Sequence, residues 1–254
     1  MSLLVFPKLK QVDGDYNLGD IKEKRPIGFP LDEGELKPYS TLFHWAYLHA
    51  EKDGQISEHH HKGFEICTFV LNGEIEHYDN QFKGWKKLVA GDVQIIRLGS
   101  GISHAEKLYK GTEIIQIWFD PDLSKSINRE PICNNYSSVK FPIIIEKERT
   151  VIIYKGEGSP VNLTTPDIEI MEYSFSTKEH EIKIGKKRIM SAFVIEGLIY
   201  LDEKKINKSD FFIIRNQDSA ILKCTSDVRL FVVFSPQKPE YKTYAEMNNL
   251  HQKF

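Results

Sequence analysis

An all-β chain folded as two copies of one β-barrel is expected from three features of the 254-residue sequence. Short runs rich in β-branched and aromatic residues recur along it, separated by Gly, Asn, Asp and Lys clusters, a rhythm that marks a sandwich or barrel. Helical periodicity is weak. Two of the runs recur in the same order further along: "FVLNGEIEH" at 69–77 resembles "FVIEGLIYL" at 193–201, an offset of 124, and "DVQIIRLGS" at 92–100 resembles "DFFIIRNQD" at 210–218, an offset of 118. Repetition at a fixed order of elements is the mark of a duplicated structural unit.

In chain order the expected strands are "EICTFVL" (65–71), "DVQIIRL" (92–98), "EIIQIWF" (113–119), "TVIIY" (150–154), "IEIMEYSF" (168–175), "MSAFVIEG" (190–197), "DFFIIR" (210–215) and "RLFVVF" (229–234). A helix is expected only near the C-terminus, in "YKTYAEMNNL". The stretch 120–142 is polar and carries three prolines, so it reads as the connection between the two units. Domains are accordingly drawn at 1–130 and 131–254. Gly73 and Asp92 are 19 positions apart, and Gly197 and Asp210 only 13, which predicts a shorter hairpin in the second copy.

Composition narrows the function. Hydrophobic residues make up 41% and charged residues 28%, enough apolar mass for ordinary cores. The net charge of −2 lacks the basic excess of a phosphate-binding surface, so direct nucleic-acid binding is not expected. Cys67, Cys133 and Cys224 are odd in number and far apart, which argues against a disulfide framework and for a reducing compartment. "MSLLVFPKLK" lacks the pattern of a signal peptide, and no run approaches the roughly 18 apolar residues of a membrane span. A soluble, cytoplasmic monomer is the expectation.

Chemistry concentrates in "EHHHKGFE" and "GSGISHAE". Side chains alternate faces along a strand, so His59 and His61 point one way and His60 the other. His104 and Glu106 share the same i, i+2 relation. Two such pairs on neighbouring strands would bring three imidazoles and one carboxylate to a single metal, a donor set that suits Fe(II), Mn, Ni or Zn with positions left for water or substrate. Gly99 and Gly101 precede His104 and permit the φ > 0 bends that re-aim a strand. Glu65 lies four positions after His61 and would share its face on a regular strand. Spacing alone does not choose between Glu65 and Glu106. His77 in "EIEHYD" is either a residue beside the site or a plain strand histidine.

The segments "HHHKGFEICTFVLNGEIEHYD" and "AGDVQIIRLGSGISHAE" resemble the pirin family of two-cupin proteins, through H-x-H-x-G-F-E, G-x-x-x-H-x-D, G-D-x-Q and G-x-G-I-x-H-x-E. The resemblance implies two cupin-type (double-stranded β-helix, or jelly-roll) barrels, the first binding metal. It implies His59, His61, His104 and Glu106 as ligands, and Glu65 as a non-ligand carboxylate beside them that could serve as an alternative base to Glu106. It further implies one divalent transition metal, Fe(II) first, with Mn, Ni, Co or Zn as alternatives. The implied activity is quercetin 2,3-dioxygenase-like cleavage of flavonols. The alternative is an iron-dependent redox-sensing regulator that binds a protein partner. This chain departs from the pattern at His60, where pirins often carry proline, at Lys62 for arginine, and at Ile95–Ile96 for a Trp–Met pair. In the second copy the two offsets carry the ligand positions onto Lys183, Gly185, Leu222 and Cys224, so that barrel is expected to lack metal, with His180 nearby but alone.

Overall fold

The computed structural model describes residues 2–252. Residues 1, 253 and 254, at the outer ends of the two expected domains, lie outside the described residues. The strands of the first half are β1 (Ser2–Phe6), β2 (Val12–Tyr16), β3 (Ile21–Ile27), β4 (Leu42–Ala50), β5 (Gly54–His61), β6 (Glu65–Asn72), β7 (Glu74–Asp79), β8 (Gly84–Val89), β9 (Val93–Arg97), β10 (Ile102–Leu108), β11 (Glu113–Phe119) and β12 (Ile132–Tyr136). Those of the second half are β13 (Ile143–Glu146), β14 (Arg149–Lys155), β15 (Glu169–Phe175), β16 (Lys178–Lys183), β17 (Arg188–Glu196), β18 (Leu198–Leu201), β19 (Lys204–Asn207), β20 (Phe211–Arg215), β21 (Ser219–Cys224) and β22 (Val228–Pro236). All eight expected strands are present.

The duplication is visible in the pairing. One unit has a seven-stranded sheet in the order β12-β9-β6-β11-β4-β3-β2 and a four-stranded sheet β5-β10-β7-β8. The other repeats this as β1-β20-β17-β22-β15-β14-β13 and β16-β21-β18-β19. Each position in one order has its counterpart in the other, the arrangement of a two-cupin chain. The hairpin difference is also located: β7 and β8 have six residues each where β18 and β19 have four, and the turn between them shortens from 80–83 to 202–203.

The domain limits differ from those drawn at 130/131. One unit comprises Gln11–Lys140, Leu163–Pro166 and the residues from Tyr241 on, and the other comprises the residues up to Lys10, Phe141–Asn162 and Asp167–Glu240. Strand β1 pairs with β20 from Ser2↔Arg215 to Phe6↔Phe211, and so fills in the second unit the place that β12 fills in the first. The stretch 120–142 is thus more than a connection, because it supplies β12 and a single helical turn, α1 (Leu123–Ser126). The expected C-terminal helix is also one turn, α2 (Tyr244–Met247), closed by a Thr243–Glu246 capping box. Asp120 receives the Tyr244 and Ala245 N–H groups and ties this turn to the first unit.

Each unit has its own apolar core. In the first, Ile21, Leu48, Val70, Ile75, Leu88 and Ile114 are buried together. In the second, the core includes Ile182, Ile184, Met190, Phe212, Ala220 and Leu222. Cys67, Cys133 and Cys224 are free and buried. Among the described residues no helix is long and apolar enough to cross a membrane.

Candidate metal centre

Strand β5 carries His59 and His61 on one face and turns the exposed His60 to the other. Strand β10 runs antiparallel beside it, and His104 stands directly opposite His59. A bulge follows, so that Glu106 faces Ile56. The turns into this pair need glycine. Gly99 has φ 48°, and a Cβ there would lie 2.1 Å from the Arg129 carbonyl oxygen; Gly101 has φ 130°, and its Cβ would meet the His60 ring at 2.6 Å.

Three imidazoles converge. One ligand atom from each of His59, His61 and His104 lies within 4.8 Å of the others. Ring centroids are 4.6 Å apart for His59 and His61, 4.4 Å for His59 and His104, and 5.4 Å for His61 and His104. Each ring is held from behind. His59 Nδ1 donates to the Ser57 carbonyl at 2.7 Å, which leaves Nε2 as the lone-pair atom. His61 meets the Trp118 ring edge to face at 4.5 Å. His104 Nδ1 lies 3.3 Å from His77 Nε2, and its own Nε2 is buried without a hydrogen-bond partner. A buried nitrogen left over in this way is costly unless something occupies the space before it. Three imidazoles that each bring a ring nitrogen to one place fit a borderline transition metal.

Burial keeps His61 and His104 neutral. It lowers His61 to about 4, helped by His59 and His60. It drives His104 far below the ordinary histidine range, helped by His59, His77 and His61. Neutral imidazole is the form that binds metal.

Glu106 is buried two positions further along β10, and its carboxylate is not among the ligand atoms that lie within 4.8 Å of one another. Its two carboxylate oxygens accept from Gln116 Nε2 at 3.1 and 3.4 Å, while Gln116 Oε1 accepts from Trp118 Nε1 at 3.0 Å. The indole therefore fixes which end of the amide faces the carboxylate. Burial raises Glu106 to about 7 against the Gln116 hydrogen bond, with Glu23 adding repulsion. Gln116 and Trp118 were not singled out in the sequence, although a glutamine at an inward position of "EIIQIWF" was the available signal.

Glu65 sits elsewhere. The chain turns at Gly63, with φ 86°, before Glu65 opens β6 in the other sheet, so the shared parity with His61 does not carry across. Its carboxylate accepts from the Thr164 N–H at 2.7 Å, the Thr165 N–H at 2.8 Å and the Thr165 hydroxyl at 2.6 Å.

In the second unit, register places the equivalents differently from the sequence offsets. Ile75↔Leu108 in the first unit corresponds to Ile199↔Cys224 in the second, so His104 and Glu106 fall on Ala220 and Leu222, and His59 on Ile182. These replace Lys183, Leu222 and Cys224 as the matching positions, because β10 and β21 differ in their offset from the flanking strands. Ile182, Ala220 and Leu222 belong to the apolar core there.

The sequence model described as Pirin matches residues 32–119, the segment that holds all four expected ligands. That segment is similar to the pirin family. Among curated relatives, the quercetin 2,3-dioxygenase of Escherichia coli K12 is 27% identical over 183 residues, covering 70% of this chain and 75% of that protein. Pirin-like protein 2 of Arabidopsis thaliana is 37% identical over 121 residues, 43% of this chain and 35% of that protein. The bacterial pirin YhhW from Escherichia coli, solved in complex with nickel(II), superposes with a TM-score of 0.76 at 19% identity, over 92% of this chain and 99% of that one.

Proposed function

We propose that this protein is a metal-dependent dioxygenase of the pirin type that cleaves flavonols such as quercetin, with one divalent transition metal held by His59, His61, His104 and Glu106. The observation that carries the reading is the convergence of three oriented imidazoles, one ending in a buried Nε2 with no partner. The nickel(II) in YhhW and the name of the Escherichia coli dioxygenase support it. Iron(II) is the expected ion, and Mn, Co, Ni or Zn suit the same donors. When bound, such an ion lowers the pKa of a hydroxyl attached to it.

The protein's own groups supply the rest. Glu106, turned by Gln116, accepts the flavonol hydroxyl proton, which requires it to come within hydrogen-bond reach of that oxygen. Glu65 already receives three donors, so the base role goes to Glu106 alone. Trp118, with Phe29 edge to face against it at 5.4 Å, gives an apolar wall beside His61 for a flat aromatic substrate. The second barrel, whose matching positions are Ile182, Ala220 and Leu222, acts as a structural copy. The three buried free thiols support a reducing location such as the cytoplasm.

Protein loaded in turn with Fe(II), Mn, Co and Ni should bleach the quercetin absorbance band in air with uptake of dioxygen and release of carbon monoxide. Glu106→Gln should lose that activity and part of the metal. No bleaching with any of the four ions would overturn the enzymatic reading and favour a regulator whose iron state alters a protein-binding surface.

A further inference from the structure

Behind His104 lies a chain of buried polar groups that metal binding alone does not explain. Strand β7 turns Ile75, His77 and Asp79 inward, as its period of two requires. Its register with β10 sets His77 opposite Glu106 and Asp79 opposite His104. His77 is 0% exposed and Asp79 1%. His77 Nε2 is 3.3 Å from His104 Nδ1, and His77 Nδ1 is 3.8 Å from Asp79 Oδ2. The second contact is longer than a hydrogen bond, yet it sets a carboxylate facing the ring. Asp79 Oδ1 is anchored separately by the N–H groups of Gln81 and Phe82, at 3.0 and 2.8 Å.

Two neutral imidazoles in contact share one proton, and its place decides whether His104 can bind metal. With the proton on His104 Nδ1, that nitrogen donates to His77 Nε2, and His104 Nε2 is a free lone pair. With the proton on His77 Nε2, His104 must carry its own proton on Nε2 and offers nothing to a metal. The Asp79 carboxylate selects between them, because it favours a proton on the facing His77 Nδ1, which leaves His77 Nε2 as the acceptor. The geometry points to an Asp79–His77–His104 relay that fixes the His104 tautomer and hardens it as a ligand, with His77 and Asp79 as positioning residues. Partners of this kind orient a ligating ring and raise its basicity.

His77, Asp79 and Cys133 also have ligand atoms within 4.8 Å of one another, all buried, which raises the question of a second ion. The groups are already committed. His77 Nε2 faces His104, Asp79 Oδ1 holds the turn, and burial with the nearby Asp79 charge pushes the Cys133 thiol up to about 12, so it stays protonated. A relay needs only the His77 contact to His104 and the Asp79 charge beside His77, whereas a second ion would need Cys133 deprotonated and the His104 contact broken.

This inference rests on the proposed ligand set, so the test reads apo and loaded protein separately. In apo protein labelled with 15N-histidine, long-range 1H–15N correlations should show His104 protonated on Nδ1. His77→Phe, which keeps a ring of similar size, should move that proton to Nε2. In the loaded protein it should weaken Co(II) binding about 10–100-fold, the usual range for such partners. His77→Gln, whose carbonyl can accept from Nδ1, should restore most of the affinity. Asp79→Asn keeps the Oδ1 turn contacts, removes the charge, and should give an intermediate loss. An unchanged His104 tautomer and unchanged Co(II) affinity in His77→Phe and Asp79→Asn would overturn the relay. So would two Co(II) per chain with one lost in His77→Phe. Failure of wild-type protein to take up Co(II) would instead refute the ligand set, and the apo tautomer would still decide the relay.

Discussion

His104→Ala is expected to empty the site: metal content should fall from one ion per chain to near none after dialysis against a weak chelator. The variant removes the buried Nε2 that has no other partner and leaves His77 Nε2 facing a void. His59→Ala should behave the same way, because its Nε2 is the atom that the Ser57 contact leaves free. His60→Ala is the internal control. That ring is exposed on the opposite face and meets Ser103 Oγ at 3.3 Å, so its loss should spare the metal. Elemental analysis of the three variants beside wild type reads the result, with circular dichroism to confirm that each is folded. Full occupancy in both His59→Ala and His104→Ala would contradict the assignment.

Glu65→Gln should damage stability more than chemistry. The buried carboxylate serves three donors from Thr164 and Thr165, and so holds Leu163–Pro166 within the first unit. The amide keeps one oxygen and turns an NH2 toward a donor it cannot accept from. Leaving a buried donor unpaired costs about 1–3 kcal/mol. For a unit of this size that lowers the melting temperature by roughly 2–12 °C. Hydrogen exchange at Thr164 and Thr165 should rise in step, while metal content stays at one per chain. An unchanged melting curve with activity reduced in the roughly 10²–10⁴-fold range of a lost base would return Glu65 to the catalytic role.

Much of the site was legible because strand parity is a strict rule. His59 and His61 share a face for the reason the spacing gives, and Gly99 and Gly101 take the positive φ values that their place before His104 suggested. Parity misled at Glu65 because it holds only within one strand, and the glycine of "HKGFE" ends that strand. The fold shows the same division. Repeated words revealed two barrels, but nothing in "SLLVF" says that it pairs with β20, more than two hundred positions away. Pairing at that range is set by which sheet edge lacks a strand, a property of the assembled unit and not of the segment. The second-barrel equivalents slipped because a hairpin and its neighbours changed length together, and register absorbed what a constant offset cannot. Asp79 stands beside His104, and Gln116 beside Glu106, only because separate strands meet in the folded barrel.

Crystals of the metal-loaded protein, with data collected at the absorption edge of the bound ion, test the central claim most directly. The account predicts one anomalous peak per chain in the first barrel, with His59, His61, His104 and Glu106 around it and Glu65 still bonded to Thr164 and Thr165. A peak among Ile182, Ala220 and Leu222, a peak coordinated by Glu65 in place of Glu106, or no peak beside His104 would contradict it.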